Sequence, residues 1–480
     1  MFIVLCRRFS PGSAARLILR ICALLVLASI SRPALAQFQG PISQTSPTFA
    51  LDTPTAYENT PFTPNVEHAF GTWGGSLPWL KAHGVGVVLD YTSESTIILD
   101  GKHGSDASYL HQIGLQIDLD WERLIGLRGF RTHAVFVNRA GHSMASDYRD
   151  YSVYGLQEIY GGGGNVGVHM VYFYATQDLW GGRVQLAAGK LPVSIDFSAS
   201  PLFCTFVDKS ICGNPKSLTR GANGFSTYPY SSYGGRARIW PVKGFYVQTG
   251  LYGTNAGVNT NRWDRTGFEF GLCQYQGIYI PTEIGIIPSF GPHKLVGHYK
   301  IGVGHDSAPY ADELYDATGG YAEVDGRSAR MDHGKVQLWV EADQMIMRNG
   351  WGPLHGLYLM TGLVHNTNRD SVYNNEYYAG LIERGLFHSR PEDTFGIAMS
   401  HLEASGDLVQ AQRIAQSLGL PLPGSATAPQ GSESMAEATY IFHVYRGTSI
   451  QPDYQHIFRP NLERRNPDID ALGIKLHSVF

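Results

Sequence analysis

From Val85 to Phe480 the chain repeatedly alternates apolar and polar side chains with a period of two, the pattern of a strand that separates two environments. Tyr109, Ile113, Leu115, Ile117 and Leu119 share one face, and Gln112, Gln116 and Asp118 the other. Val336, Leu338, Val340 and Ala342 oppose Gln337, Trp339, Glu341 and Asp343, while Ala438, Tyr440, Phe442 and Val444 oppose Glu437, Thr439 and His443. The last stretch sets Leu472, Ile474, Leu476 and Phe480, with Ser478 as the only polar member, against Gly473, Lys475, His477 and Val479. Such segments predict about sixteen strands, each close to the 9–11 residues that a tilted membrane strand needs. They fall near 85–91, 109–119, 130–138, 166–174, 183–190, 234–240, 244–252, 276–286, 294–303, 336–346, 355–364, 376–384, 393–402, 436–446, 450–458 and 470–480.

The connections alternate in length. Long ones (92–108, 139–165, 191–233, 253–275, 304–335 and 403–435) interleave with short ones such as 241–243, 287–293 and 447–449. That pattern predicts an all-β fold, a transmembrane antiparallel up-and-down β-barrel with long outer loops, tight periplasmic turns and both termini on the periplasmic side. About sixteen strands enclose an interior too wide for side chains to fill, so the apolar face must meet lipid and the polar face a wet lumen. A water-filled tube across a bilayer is a conduit.

Composition agrees. Of 480 residues only 16% are charged, and Gly (56) and Tyr (27) are abundant, while mean hydropathy is −0.14. A bundle of membrane helices would be far more hydrophobic. A formal net charge of −4, without any Lys/Arg-rich run, offers no surface for nucleic acid. Arg7, Arg8, Arg16 and Arg20 precede the apolar run 21–30, which leads to Ala34-Leu35-Ala36 before Gln37. This is the pattern of a secretory signal over 1–36. Pro41, Pro47, Pro54, Pro61 and Pro64 punctuate an aperiodic leader, 37–69, ahead of a barrel domain over 70–480. Cys204 and Cys212 sit close together in one loop, where an oxidising compartment would let them pair; Cys273 is left over as a lone thiol.

The phase of each strand proposes lumen-facing groups: Arg236, Arg238, Glu283, Lys300, Trp339, Glu341, Asp343 and Lys475. Charges of both signs suit a neutral polyhydroxyl solute, whose hydroxyls donate to carboxylates and accept from guanidinium, with Trp339 offering a flat face to a sugar ring. No G-x-S-x-G, H-E-x-x-H or G-x-x-x-x-G-K-[ST] occurs, and the histidines lack metal-ligand spacing, so neither catalytic residues, a metal site nor a cofactor is expected.

The chain resembles the carbohydrate-selective porins of the OprB family. The resemblance rests on Trp73-Gly74-Gly75 with Pro78-Trp79-Leu80 and Gly84, and on Phe203-Cys204 through Cys212-Gly213-Asn214-Pro215. His298-Tyr299-Lys300-Ile301-Gly302, Ile450-Gln451-Pro452-Asp453-Tyr454-Gln455 and the terminal Phe480 complete it. It implies a sixteen-stranded barrel in the bacterial outer membrane that admits glucose and related sugars to the periplasm by diffusion through an eyelet; the sequence leaves monomer and homotrimer both open. It also implies that Phe480 forms part of the signal read by the barrel-assembly machinery, and that the third outer loop, which Arg236 and Arg238 follow, folds inward. The alternatives are a porin for other small solutes and a barrel enzyme.

Overall fold

The computed structural model describes residues 68–480 apart from 100–106, 148–151, 160–163, 201, 243, 258–264, 351–354 and 368. The signal 1–36 and nearly all of the leader 37–69 thus lie outside the described residues.

The strands are β1 (Val85–Ile98), β2 (Ala107–Asp120), β3 (Phe130–Gly141), β4 (Val166–Leu179), β5 (Val184–Leu191), β6 (Ser232–Val242), β7 (Phe245–Thr254) and β8 (Gly277–Ile286). After them come β9 (Ser289–Phe290), β10 (Leu295–Asp316), β11 (Ala329–Arg348), β12 (Gly356–Asn366), β13 (Tyr373–Arg384), β14 (Thr394–Ala404), β15 (Ser432–Tyr445), β16 (Thr448–Phe458) and β17 (Ile469–Val479). Every neighbouring pair is antiparallel. Because β8 and the two-residue β9 both pair with β10, they occupy one place in the wall, and the barrel has sixteen positions. It closes where β1 meets β17, from Asp90↔Val479 to Ile98↔Ala471. All sixteen expected strands are present.

The burial pattern follows the inversion argued from strand phase. Ile278, Ile280, Ile284 and Ile286 alternate with buried residues along β8, as do Val336, Leu338 and Val340 along β11. These exposed apolar rows form the band that faces lipid, since no aqueous surface would carry them at such density. Inner rows are polar and buried, because two outer loops fold into the lumen and cover them.

Local chemistry fixes the tight ends. Gly447, at φ +58°, makes the two-residue turn between β15 and β16. Between β2 and β3, the short helix Trp121–Ile125 is capped by the Asp120 carboxylate on the Glu122 and Arg123 amides and stopped by left-handed Gly126. One expected loop is wrong in extent. The stretch 304–335 is mostly strand, because β10 runs on to Asp316 and β11 starts at Ala329, leaving 317–328 as the connection. There the two strands rise as a ribbon against which the helix Gly406–Leu418 packs.

The chain ends are clasped together. Phe480 donates its amide to Leu89 O at 2.8 Å, and Ala69 donates to Val479 O at 2.6 Å. His68 Nδ1 lies 2.5 Å from Phe480 O, and the Phe70 ring stacks on that of Phe480 at 5.3 Å.

Candidate functional site

The segment 192–231, between β5 and β6, passes inside the barrel, and the inner polar rows hold it there. Asp196 accepts from both Arg236 Nη2 (2.8 Å) and Arg238 Nη2 (3.0 Å) of β6, and its carbonyl accepts from Gln248 Nε2 of β7 at 2.7 Å. Glu283 of β8 is a four-way acceptor. Its oxygens take Tyr246 Oη (2.8 Å), Gln248 Nε2 (2.9 Å), Trp339 Nε1 (2.8 Å) and the Ser198 amide (2.9 Å). Ser198 Oγ donates to Glu341 of β11, Lys300 of β10 donates to Ala199 O, and Ser200 Oγ donates to Asp343 at 3.1 Å. Asp343 also binds His298 Nδ1 at 2.5 Å, and Lys300 Nζ lies 3.9 Å from Glu341. Apart from Lys475, the sequence-derived wall residues therefore converge on one stretch of loop, 196–200.

This placement corrects two expectations about them. Arg236 and Arg238 do face inward, yet they meet Asp196 rather than open water. Trp339 is completely buried among Phe197, Phe225, Tyr252 and Tyr279, so in this conformation it offers no face to a sugar. Gly302 makes room for the indole, since a Cβ there would lie 2.0 Å from the ring. Lys475 likewise meets a loop carboxylate, Glu158 of the 142–165 connection, at 2.6 Å.

Further along, the loop is held by Glu437, which alternation had placed on a polar face, and by three residues that the sequence did not single out: Glu376, and Asp306 and Lys335 from the stretch 304–335 that was expected to be a loop. Glu437 of β15 accepts the Val207 and Asp208 amides at 2.8 and 2.9 Å, and Glu376 of β13 accepts Ser217 N at 2.7 Å. Asp306 of β10 accepts Gly224 N at 2.9 Å, and Lys335 of β11 donates to Gly221 O at 2.6 Å. Each is a charged side chain spent on a backbone group, which compensates both partners for lost water. Cys204 and Cys212 are joined, Cα to Cα 3.9 Å apart, and tie the loop's middle into a compact turn. A second loop enters as well: Glu433 of β15 accepts Val153 N at 2.9 Å and Tyr154 N at 3.1 Å.

Between these anchors the inner loop carries its own charge. Burial pulls the Lys216 ammonium down to about 7, with the neighbouring Lys209 and Arg220 adding to the effect. Burial also raises the Asp208 carboxyl to about 6, against the hydrogen bond it receives from Ser210. Arg220 is exposed. The site is thus a constriction bearing both signs of charge on both loop and wall, with Asp196, Asp208, Lys216 and Arg220 on the loop and Arg236, Arg238, Lys300, Glu283, Glu341 and Asp343 on the wall.

A sixteen-position barrel with an apolar outer band, a polar inner face and a loop pinned across its interior defines a porin-class channel. The chain belongs to the carbohydrate-selective porin, OprB family, which matches residues 104–480. The fold is similar to the high-pH structure of Pseudomonas putida OprB, with a TM-score of 0.80 at 23% identity over 87% of this chain and 99% of that one. Similarity to the low-pH structure of the same protein is lower, with a TM-score of 0.53 at 18% identity over 86% of this chain and 98% of that one. QuiX of Acinetobacter baylyi, whose name assigns it as a porin, is 22% identical over 424 residues, 85% of this chain and 92% of its own. Members of this family are channels rather than enzymes.

Proposed function

We propose that the protein is an outer-membrane channel through which carbohydrates of about monosaccharide size, glucose among them, diffuse into the periplasm. We place the mature start at Gln37. The observation that carries the reading, beside the family, is the inward loop pinned by Asp196, Ser198 and Ser200 to opposite-signed wall groups: it narrows a tube otherwise wide enough for any small solute. A constriction with both signs of charge hydrates neutral polyols without selecting one ion strongly. Proteoliposomes holding the purified protein swell in iso-osmotic glucose, and glucose added to a planar bilayer reduces the ion current. Swelling equal for sugars, amino acids and dicarboxylates of matched size would leave only a general small-solute porin. That second reading draws on Lys209, Lys216 and Arg220, whose clustering favours anions.

A further inference from the structure

Buried polar atoms without a hydrogen-bond partner among the described residues occur on several parts of the inner face, Glu341 Oε2 of β11 and Asp453 Oδ1 of β16 among them, but on β1–β3 four side chains that carry such atoms stand in one patch. On β1, β2 and β3, Thr92 Oγ1, Glu94 Oε1, Gln112 Nε2, and Arg139 Nε and Nη1 have no hydrogen-bond partner among the described residues. None of the four side chains belongs to a residue more than 1% exposed. Thr92 lies directly across from Gln112, and Gln112 across from Arg139, so they form one row on the inner face. Glu94 stands two residues from Thr92 on the same face.

Arg139 is singular among these groups. Arg131 pairs with Asp178, and Arg236 and Arg238 with Asp196. No described carboxylate forms an ion pair with Arg139, whose guanidinium comes only within 3.5 Å of His169 Nδ1. Most buried polar atoms of native proteins are hydrogen-bonded, so a cluster of exceptions calls for an explanation, and a bound solvent molecule or ligand is one that supplies partners to all of them. Tyr228 of the inner loop donates its hydroxyl to Gln112 Oε1, which leaves Nε2 directed elsewhere and brings a half-buried ring alongside the row.

We propose that Thr92, Glu94, Gln112 and Arg139 form a subsite for a neutral polyhydroxyl solute. Sugar oxygens accept from Arg139, Gln112 and Thr92, while a sugar hydroxyl donates to Glu94 Oε1. The mixture of groups decides the ligand class. A free anion meets the Glu94 carboxylate, a cation meets Arg139, and only a solute that both donates and accepts satisfies all four. Neighbouring strands are about 4.8 Å apart, so the row spans roughly 10 Å from Thr92 to Arg139, with long side chains reaching inward from its ends. The inference rests on the carbohydrate reading and moves the sugar contacts away from Arg236, Arg238, Glu283 and Glu341, which the loop already occupies.

The test uses the full-length protein in planar bilayers, with a panel of neutral aldoses and alditols titrated against the ion current. Thr92→Val keeps shape and removes one donor; Arg139→Met keeps length and removes the guanidinium. The half-blocking sugar concentration should rise about five-fold for Thr92→Val and about ten-fold or more for Arg139→Met, while the sugar-free current persists. Heat-modifiable migration on gels checks that both variants are folded, and Thr92→Val remains decisive if the arginine variant is not. Block equal to wild type in the folded variants overturns the subsite and means that these atoms are merely hydrated. Failure of the wild type to pass any neutral sugar instead overturns the carbohydrate reading itself.

Discussion

Removing Arg236 and Arg238 together tests whether wall charge holds the inner loop. Both guanidinium groups share Asp196 Oδ1, at 2.8 and 3.0 Å, and the carboxylate is only 6% exposed. Arg236→Ala with Arg238→Ala takes the local formal charge from +1 to −1 and strands a buried carboxylate, a change that costs about 3–5 kcal/mol. At tenfold per 1.4 kcal/mol, the docked population of the loop's first turn falls by about 100- to 5,000-fold relative to its open form. Gln248 on the Asp196 carbonyl and Glu283 on Ser198 still hold the flanks, so the opening is local and the barrel persists. In single-channel records the double variant should therefore show added current noise, higher conductance and a reversal potential shifted towards cations. Adding Asp196→Ala removes the stranded charge and should return the noise and part of the conductance towards wild type. A quiet double variant with unchanged selectivity refutes the ion-pair anchor, as does a triple variant indistinguishable from the double.

Other expectations are as direct. Cys204 and Cys212 should be recovered as one linked peptide in non-reducing mapping, and opening so short a loop should cost about 2–3 kcal/mol of local stability, with the barrel itself intact. As pH falls from 8 to 5, Lys216 gains charge through about 7 and Asp208 loses its charge through about 6, so both make the loop more positive. The reversal potential should move towards anions over that window, and Lys216→Gln should flatten its upper part; an unchanged response in that variant would assign the titration elsewhere. Phe480→Ser removes the ring stacked on Phe70 and should lower outer-membrane levels more than it lowers the conductance of channels that do assemble. Normal levels of that variant would count against the assembly role.

Strand alternation was legible because lipid and water impose opposite demands on the two faces at every second residue. Where lipid is absent the signal fades. Along Gly304–Asp316 the outward row holds His305, Ser307 and Pro309 and the inward row Asp306, Ala308 and Tyr310, so neither face reads as apolar and the ribbon resembled a loop. The inward phase of Arg236, Arg238, Glu283, Lys300, Glu341 and Asp343 was equally readable, but not their use. Phase says only which way a side chain points; whether it meets water or a backbone depends on a loop some forty to one hundred and fifty residues away, as between Asp196 and Arg238 (42) or Ser198 and Glu341 (143). Asp196 itself sat in an aperiodic stretch and carried no signal. The Thr92–Gln112–Arg139 row was hidden for a related reason, since strand phase places these side chains inward but does not show that no carboxylate among the described residues reaches Arg139.

The inner loop has a mechanical consequence. A cylinder of hydrogen-bonded strands resists stretching around its circumference yet flattens easily into an ellipse, because such bending changes each inter-strand angle only slightly. The loop is bonded to β6 through Arg238, to β11 through Glu341, to β13 through Glu376 and to β15 through Glu437. Those strands lie on well-separated arcs of the ring, so the loop acts as a cross-brace, and squeezing the wall must break charged contacts rather than merely tilt ladders. A wall braced in this way should keep its aperture when the bilayer is under lateral tension.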